Sequence, residues 1–366
     1  MRIDHLALDF WRNYPHGEAV FSPGVNVFYG DNAQGKTNLL EAIAFLSCAK
    51  SHRARYDREL ICHGVDHAFI QGEVWNGQRQ VTLEARLQRQ GRRQLLANGV
   101  RLKTAAELSE SLRTVLFCPE DLFLVKAGAA ERRRFFDECI SQLRPRYAVA
   151  LAEYKRLYEH KTRILRDWTE KPDLLDALDD FSLRMAQVGA VIIHYRAHFT
   201  KQLKLHAPAI HAQCSGGREK LELDYHTVST VDDPLAGQKA IFHQLLAHQQ
   251  THRQAELESR QCLSGPHKDD LLLFIDGQTA KEYASQGQTR TAALALKLGA
   301  RELCHADTGC WPVLLLDDVL SELDARRREF VLERIQGGQV FITCCDQGEF
   351  PTAKQFRVAE GKVVEG

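Results

Sequence analysis

The run Gly30-Asp31-Asn32-Ala33-Gln34-Gly35-Lys36-Thr37 constrains this chain more than any other, because it spells the phosphate-loop pattern G-x-x-x-x-G-K-[ST]. Its context supplies the rest. The β-prone run Val25-Asn26-Val27-Phe28-Tyr29 precedes it, and Leu39, Ile43 and Leu46 recur after it at i, i+4, i+7, the spacing of a helix face. A strand, a glycine-rich turn and a helix N-terminus together make an anion cradle of backbone N–H groups, favoured further by the helix dipole. Gly30 and Gly35 permit the turns, Lys36 reaches the β/γ oxygens, and the Thr37 hydroxyl is the expected Mg²⁺ ligand. Ala33 stands where many such loops carry glycine, a change that should be tolerated if the residue keeps a right-handed conformation.

A phosphate loop needs a carboxylate strand beside it, and Val313-Leu314-Leu315-Leu316-Asp317-Asp318 reads as one. Asp317 is placed to hold Mg²⁺ through its water shell. Asp318 sits where a second carboxylate orients or deprotonates the attacking water. Between loop and strand in sequence, Ser285-Gln286-Gly287-Gln288 opens a further helix containing Leu294 and Leu298. Ser-x-Gly-Gln at a helix start can bind an anion through the Ser285 hydroxyl, the Gly287 N–H and the dipole, with Gln288 beside them, although an ordinary N-cap looks the same in sequence. The order of the three elements is that of the ATP-binding-cassette class, in which this helix meets the γ-phosphate held by a second copy. Ser321-Glu322-Leu323-Asp324 matches the segment that crosses the same interface, through Ser321 and Asp324.

Composition narrows the classes. The chain has 366 residues, 48 Lys plus Arg against 48 Asp plus Glu, and no net charge. No global field draws it to DNA or membrane, so any nucleic-acid contact must come from local clusters. Apolar runs fall short of the roughly 20 residues of a membrane helix, and the start lacks the layout of a signal peptide. Ten cysteines form no Cys-x-x-Cys pair, which points to reduced thiols in a cytoplasmic protein.

The expected fold is α/β: a phosphate-loop sheet with an antiparallel subsheet, split in sequence over residues 1–120 and 261–366, and a helical arm inserted at 121–260. Val81, Leu83, Ala85 and Leu87 alternate as a half-buried strand, and Asn76-Gly77, Asn98-Gly99 and Asp276-Gly277 signal hairpins. The arm reads as four or five helices, broken near Pro172, Pro208 and Pro234.

Several longer stretches carry a resemblance. Phe10-Trp11-Arg12-Asn13-Tyr14, Pro119-Glu120-Asp121-Leu122, Arg132-Arg133-Arg134-Phe135-Phe136-Asp137 and above all Ser264-Gly265-Pro266-His267-Lys268-Asp269-Asp270 join the motifs above. The chain is similar throughout to the RecF family, SMC-like ATPases of the ATP-binding-cassette type. That resemblance implies an ATP-dependent homodimer in DNA replication, recombination and the repair of DNA damage, including the SOS response. It further implies Mg²⁺, weak DNA-stimulated ATP hydrolysis, binding of double-stranded and gapped DNA, and loading of RecA at gaps together with RecO and RecR, with no membrane partner. Arg12 is a candidate α-phosphate or ribose contact, and Arg53, Arg55, Arg132 and Arg133 are candidate DNA contacts. No sensing histidine follows Ile342-Thr343 in Cys344-Cys345-Asp346, and Glu120 stands near where a glutamine is expected. These departures favour slow turnover and leave open a non-hydrolysing clamp that uses ATP only to stabilise the dimer. A transporter subunit would carry the missing histidine, and a zinc-hook protein needs far more coil than about 1.5 Å per residue allows here.

Overall fold

The computed structural model describes residues 1–227, 231–335, 337–345, 350 and 352–366; Asp346 lies outside them. In chain order the elements begin with β1 (Arg2–Trp11), β2 (Tyr14–Val20), β3 (Val25–Tyr29), α1 (Lys36–Cys48), β4 (His67–Trp75), β5 (Gln80–Gln88), β6 (Gln94–Ala97), β7 (Val100–Arg101) and β8 (Thr114–Phe117). Then come α2 (Phe123–Lys126), α3 (Ala129–Leu143), α4 (Pro145–Asp167), α5 (Leu178–Ser215), β9 (Leu221–His226), α6 (Gln238–Thr251), α7 (Arg253–Ser259), β10 (Asp270–Ile275), β11 (Gln278–Thr279), α8 (Ala280–Tyr283) and α9 (Gln286–Thr308). The chain closes with β12 (Val313–Leu316), α10 (Ala325–Arg334), β13 (Val340–Cys344), β14 (Lys354–Ala359) and β15 (Lys362–Glu365). Among the described residues no helix is long and apolar enough to cross a membrane.

The first of two compact units comprises Met1–Asp121 and Lys297–Gly366. It holds two sheets. One is antiparallel, in the order β2-β1-β4-β5-β6-β7; the other runs β15-β14-β3-β13-β12-β8 and is parallel from β14 to β8. The antiparallel sheet is larger than the sequence reading anticipated, because β1 and β2 join it. Helix α1 packs against β1, β4 and β5 on one side and β8 and β13 on the other. That position explains its composition. Leu39, Leu40, Ala42, Ile43, Ala44, Phe45 and Leu46 are all buried, so the Leu39–Ile43–Leu46 stripe is one part of a helix that is apolar nearly all round. The Asn98-Gly99 turn has both residues at positive φ, as a two-residue turn with right-handed strand twist requires.

The second unit, Leu122–Leu296, is helical but not only helical. β9 pairs with β10 in a three-stranded antiparallel sheet, β11-β10-β9, closed by the Asp276-Gly277 turn at φ 50° and 78°. This pairing carries residues after 260 into the second unit, so its far boundary falls at Leu296 rather than at the residue 260 expected from sequence. Pro208 does not break the helix it was expected to end. It lies inside the 38-residue α5. The lost N–H would have served the carbonyl of Lys204, which is on the exposed side where water can replace the bond.

The Ser264–Asp270 stretch knots this unit together. Arg196 of α5, fully buried, donates to Asp137 Oδ1 of α3 (2.9 Å), to Tyr147 Oη of α4 (3.0 Å) and to the Pro266 carbonyl (2.8 Å). Tyr225 of β9 donates to Asp269, and the carbonyl of Asp269 accepts from Arg133 at 2.8 Å. Burial pushes the Asp269 carboxyl up to about 6 against the pull of Arg196 and Tyr225. His267 lies between Tyr154 Oη (2.8 Å, to Nδ1) and the Cys262 carbonyl (3.0 Å, to Nε2). The carbonyl can only accept, so Nε2 carries the proton and Nδ1 accepts from the tyrosine, a neutral ring. Burial accordingly lowers its pKa to about 4.

A depressed histidine contributes stability above its unfolded pKa of about 6.5 that is lost as pH falls toward 4. Chemical denaturation of His267→Gln and wild type at pH 7.5 and pH 5 checks this. The deficit of the variant should shrink by about 2 kcal/mol at the lower pH, at about 1.4 kcal/mol per unit; a deficit independent of pH would contradict the neutral, buried ring.

Candidate nucleotide-binding site

β3 delivers the chain into the loop Gly30–Gly35, and α1 begins at Lys36 with Gly35 as its N-cap at φ 116°. Both glycines are required. A Cβ on Gly30 would lie 2.3 Å from the Val358 carbonyl oxygen of β14, and one on Gly35 would lie within 2.8 Å of the Asn13 amide and the Tyr14 hydroxyl. Ala33 corrects the sequence expectation: it sits at φ 65°, in the left-handed region, at a cost of about 1–2 kcal/mol for a residue with a Cβ. The loop is held in that shape from outside. Asn13 donates to the Gln34 carbonyl (2.9 Å), Tyr14 to the Gly35 carbonyl (3.0 Å), and the Glu360 N–H to Gln34 Oε1 (2.7 Å). Lys36 is buried, with its ammonium donating to the carbonyls of Gly30 and Asp31 (2.8 Å to the latter).

These tethers explain the Phe10–Tyr14 stretch. It is the tip between β1 and β2, where Trp11 Nε1 donates to the Asn38 carbonyl (2.9 Å) and Asn38 donates to Asn13 (2.7 Å). Arg12 is committed inside the protein. Its guanidinium makes a bidentate pair with Glu41 (2.7 and 2.8 Å) and donates to the Glu59 carbonyl (2.9 Å). Burial alone would raise the Glu41 carboxyl; hydrogen bonds from Arg12 and Ser51 outweigh it and hold the group low.

The carboxylate strand β12 brings Asp317 to the loop. Asp317 Oδ1 accepts from Thr37 Oγ1 at 2.9 Å and from Thr343 Oγ1 at 2.9 Å. The group is 4% exposed, and burial pushes its pKa up while the two hydroxyls and the charge of Arg53 pull it back. Thr343 is the last residue but one of β13, the strand between β3 and β12, and its Oγ1 also accepts the Asp318 N–H at 2.7 Å. Sequence reasoning missed Thr343, Asn13 and Tyr14; the available signal was a hydroxyl near the end of an apolar strand and a polar pair at a hairpin tip. Asp318 is half-buried at φ 51°, and its carboxylate accepts from Ser321 Oγ at 3.0 Å. Two expected elements, the second carboxylate and the interface segment, thus meet. Asp324 caps α10 by accepting from the Arg327 N–H at 2.9 Å, the largest cause of its lowered pKa.

Thr37 and Asp317 offer a hydroxyl and a carboxylate within hydrogen-bond distance, an all-oxygen set that suits Mg²⁺. Arg53 lies at this site rather than apart from it, donating to Asn38 Oδ1 at 3.1 Å. Arg55 is exposed, and its guanidinium and that of Arg58 lie 5.3 and 4.8 Å from the ring of the exposed Tyr56.

In the second unit, Ser285 and Gln288 cap α9 reciprocally: Gln288 N–H donates to Ser285 Oγ (3.2 Å) and Ser285 N–H to Gln288 Oε1 (2.9 Å). Because Ser285 Oγ accepts in this pair, its own proton stays available to an anion. Gly287 follows in the first turn of α9. Arg132 is withdrawn as a DNA contact: it is 4% exposed and bidentate with Asp270 at 2.6 and 2.8 Å. Arg133 is half-buried against Asp269.

Residues 2–361 match the family described as RecF/RecN/SMC N terminal domain. The DNA replication and repair protein RecF of Bacillus subtilis (strain 168) is 40% identical over 372 residues, covering 100% of both chains. The RecF protein of Agathobacter rectalis is 38% identical, with 99% of each covered. A solved structure of the recombination mediator protein RecF-ATPrS in the RecFOR pathway superposes with a TM-score of 0.93 at 32% identity, over 100% of this chain and 98% of that one. An Smc head domain from Pyrococcus furiosus shares the fold, with a TM-score of 0.58 at 18% identity over 100% and 96%.

Thr343→Val removes the bridge between the Asp317 carboxylate and the Asp318 N–H at nearly constant volume. The Mg²⁺ concentration for half-maximal ATP binding should rise about 10- to 100-fold, the usual effect of removing a group that orients a ligand. An unchanged Mg²⁺ requirement in a fluorescent-nucleotide titration would show that Thr343 does not orient Asp317.

Proposed function

Because the chain belongs to the RecF family of DNA replication and repair proteins, within the RecF/RecN/SMC group, we propose that it is an ATP-dependent DNA-binding switch that closes as a nucleotide-stabilised homodimer. The observation that carries the reading is the Thr37–Asp317 hydrogen bond at the end of the phosphate loop. It joins the hydroxyl and the carboxylate that a phosphate loop needs, with Asp318 one residue on.

The residues divide the work. The Gly30–Gly35 amides and Lys36 receive the phosphates, with Asp31, Asn32, Ala33 and Gln34 completing the loop. Thr37 and Asp317 would hold Mg²⁺, which when bound neutralises phosphate charge. Asp318 orients the attacking water, steadied by Ser321. Ser285, Gly287 and Gln288 supply the anion-binding helix start to the triphosphate of the second copy, and Ser321 with Asp324 lines the same interface. Arg12, already paired with Glu41, acts on the nucleotide through the loop it borders. Turnover is slow, since Asp318 is one methylene shorter than the glutamate common at that position, and DNA stimulation is proposed from the family resemblance. Arg53 and Arg55 are the DNA contacts retained, acting on double-stranded and gapped DNA. The RecFOR setting of the related structure supports RecR with RecO as partners; RecA loading as the outcome and the cytoplasm as the place belong to the same proposal.

One observation favours a second reading, a non-hydrolysing clamp. Asp318 is held left-handed with its carboxylate already engaged by Ser321. Measurable ATP turnover that Asp318→Asn abolishes excludes the clamp.

Ser285→Arg should leave nucleotide binding by the monomer intact and abolish pairing with ATP in light scattering; pairing at wild-type strength would refute action in trans. For DNA, log K on duplex should fall linearly with log salt, by about 0.9 per phosphate contacted. A flat response would rule out a phosphate-based interface.

A further inference from the structure

Ser285 is exposed, and a serine that must meet a phosphate on another molecule has to be aimed before that molecule arrives. Its own cap with Gln288 fixes it to α9, but not the chain entering from Ala284. That entry is a four-residue helix, α8, followed by an extended Ala284 at ψ 133°. So short a helix has one bond of its own here, from the Ala284 N–H to the Ala280 carbonyl at 3.2 Å, and little rigidity.

Lys126 supplies the missing anchor. Its ammonium donates to the Ala284 carbonyl at 2.6 Å and to the Lys281 carbonyl at 3.3 Å. A cation at a helix C-terminus is also favoured by the dipole. Lys126 ends α2, and α2 is itself fixed. Arg132 donates to the carbonyls of Leu124 (3.2 Å) and Ala127 (2.8 Å) while its other edge grips Asp270. Asp270 opens β10, which leads through β11 and α8 back to Ala284. The ties form a closed ring with Ser285 at its rim. On the same two helices Phe123 (57% exposed) and Tyr283 (68%) present aromatic rings to solvent.

We infer that Lys126 is a positioning residue for the composite nucleotide site: by holding the Ala284 carbonyl it aims Ser285 at the triphosphate bound by a second copy. This rests on the action of Ser285 in trans proposed above.

The test uses the full chain as wild type, Lys126→Met, Lys126→Arg and Ser285→Arg, with a fluorescent ATP analogue for monomer binding and light scattering for pairing. Lys126→Met should keep monomer nucleotide affinity, which also shows that it is folded. It should raise the protein concentration needed for ATP-dependent pairing about tenfold, the value of one charge-assisted hydrogen bond. Lys126→Arg, which can reach both carbonyls, should recover most of the loss. If Lys126→Met pairs like wild type while Ser285→Arg does not, the inference fails and the trans reading stands. If both lysine variants are equally defective, charge at these carbonyls is not what matters and the inference also fails. Normal pairing by Ser285→Arg would instead overturn the trans reading itself.

Discussion

One hydrogen bond, from Thr37 to Asp317, closes an interval of 280 residues, and the first unit is built to make it possible. Thr37 lies in the first turn of α1 and Asp317 at the end of β12, yet β12 is not the neighbour of β3. β13 runs between them, so hydroxyl and carboxylate meet beyond the end of an intervening strand. Thr343 of that strand joins them there. Its hydroxyl gives a proton to Asp317 and takes one from the Asp318 amide, so both acidic residues are set from the intervening strand. The desolvated Asp317 has its charge compensated by neighbouring hydroxyls and by Arg53, an environment suited to a hard cation.

The phosphate loop shows why a local motif needs a distant frame. Its glycines permit the turn but do not impose it, and Ala33 in the left-handed region works against it. The opposing stabilisation comes from Asn13, Tyr14 and the Glu360 amide, which belong to the β1–β2 tip and the β14–β15 turn. Arg12 and Glu41 then lock that tip to α1. Preorganisation of this kind lowers the ordering cost that a bound anion would otherwise meet.

Much of this was legible beforehand, and the rest was hidden for identifiable reasons. β3, the loop, α1 and the acidic strand could be read because local chemistry and local geometry agree there. The Asn98-Gly99 and Asp276-Gly277 turns were readable because positive φ at two successive residues demands such pairs. Arg132 was misread because a run of three arginines looks solvated in one dimension, while its partner Asp270 lies 138 residues away. Pro208 was misread because a long packed helix tolerates on its exposed side a proline whose lost bond and ring clash together cost about 3 kcal/mol. The far boundary of the second unit escaped because the β9–β10 pairing is non-local. Thr343 escaped because a single hydroxyl at a strand end carries no pattern.

In the proposed switch the second copy is part of the chemistry: the phosphate loop and the Ser285 helix would serve different triphosphates. The direct measurement is ATP turnover per protomer as a function of protomer concentration, at saturating ATP and Mg²⁺. Turnover per protomer should rise steeply at low concentration and level off once pairing is complete. A value constant down to concentrations at which sedimentation shows only monomer would contradict the account, because one copy would then suffice.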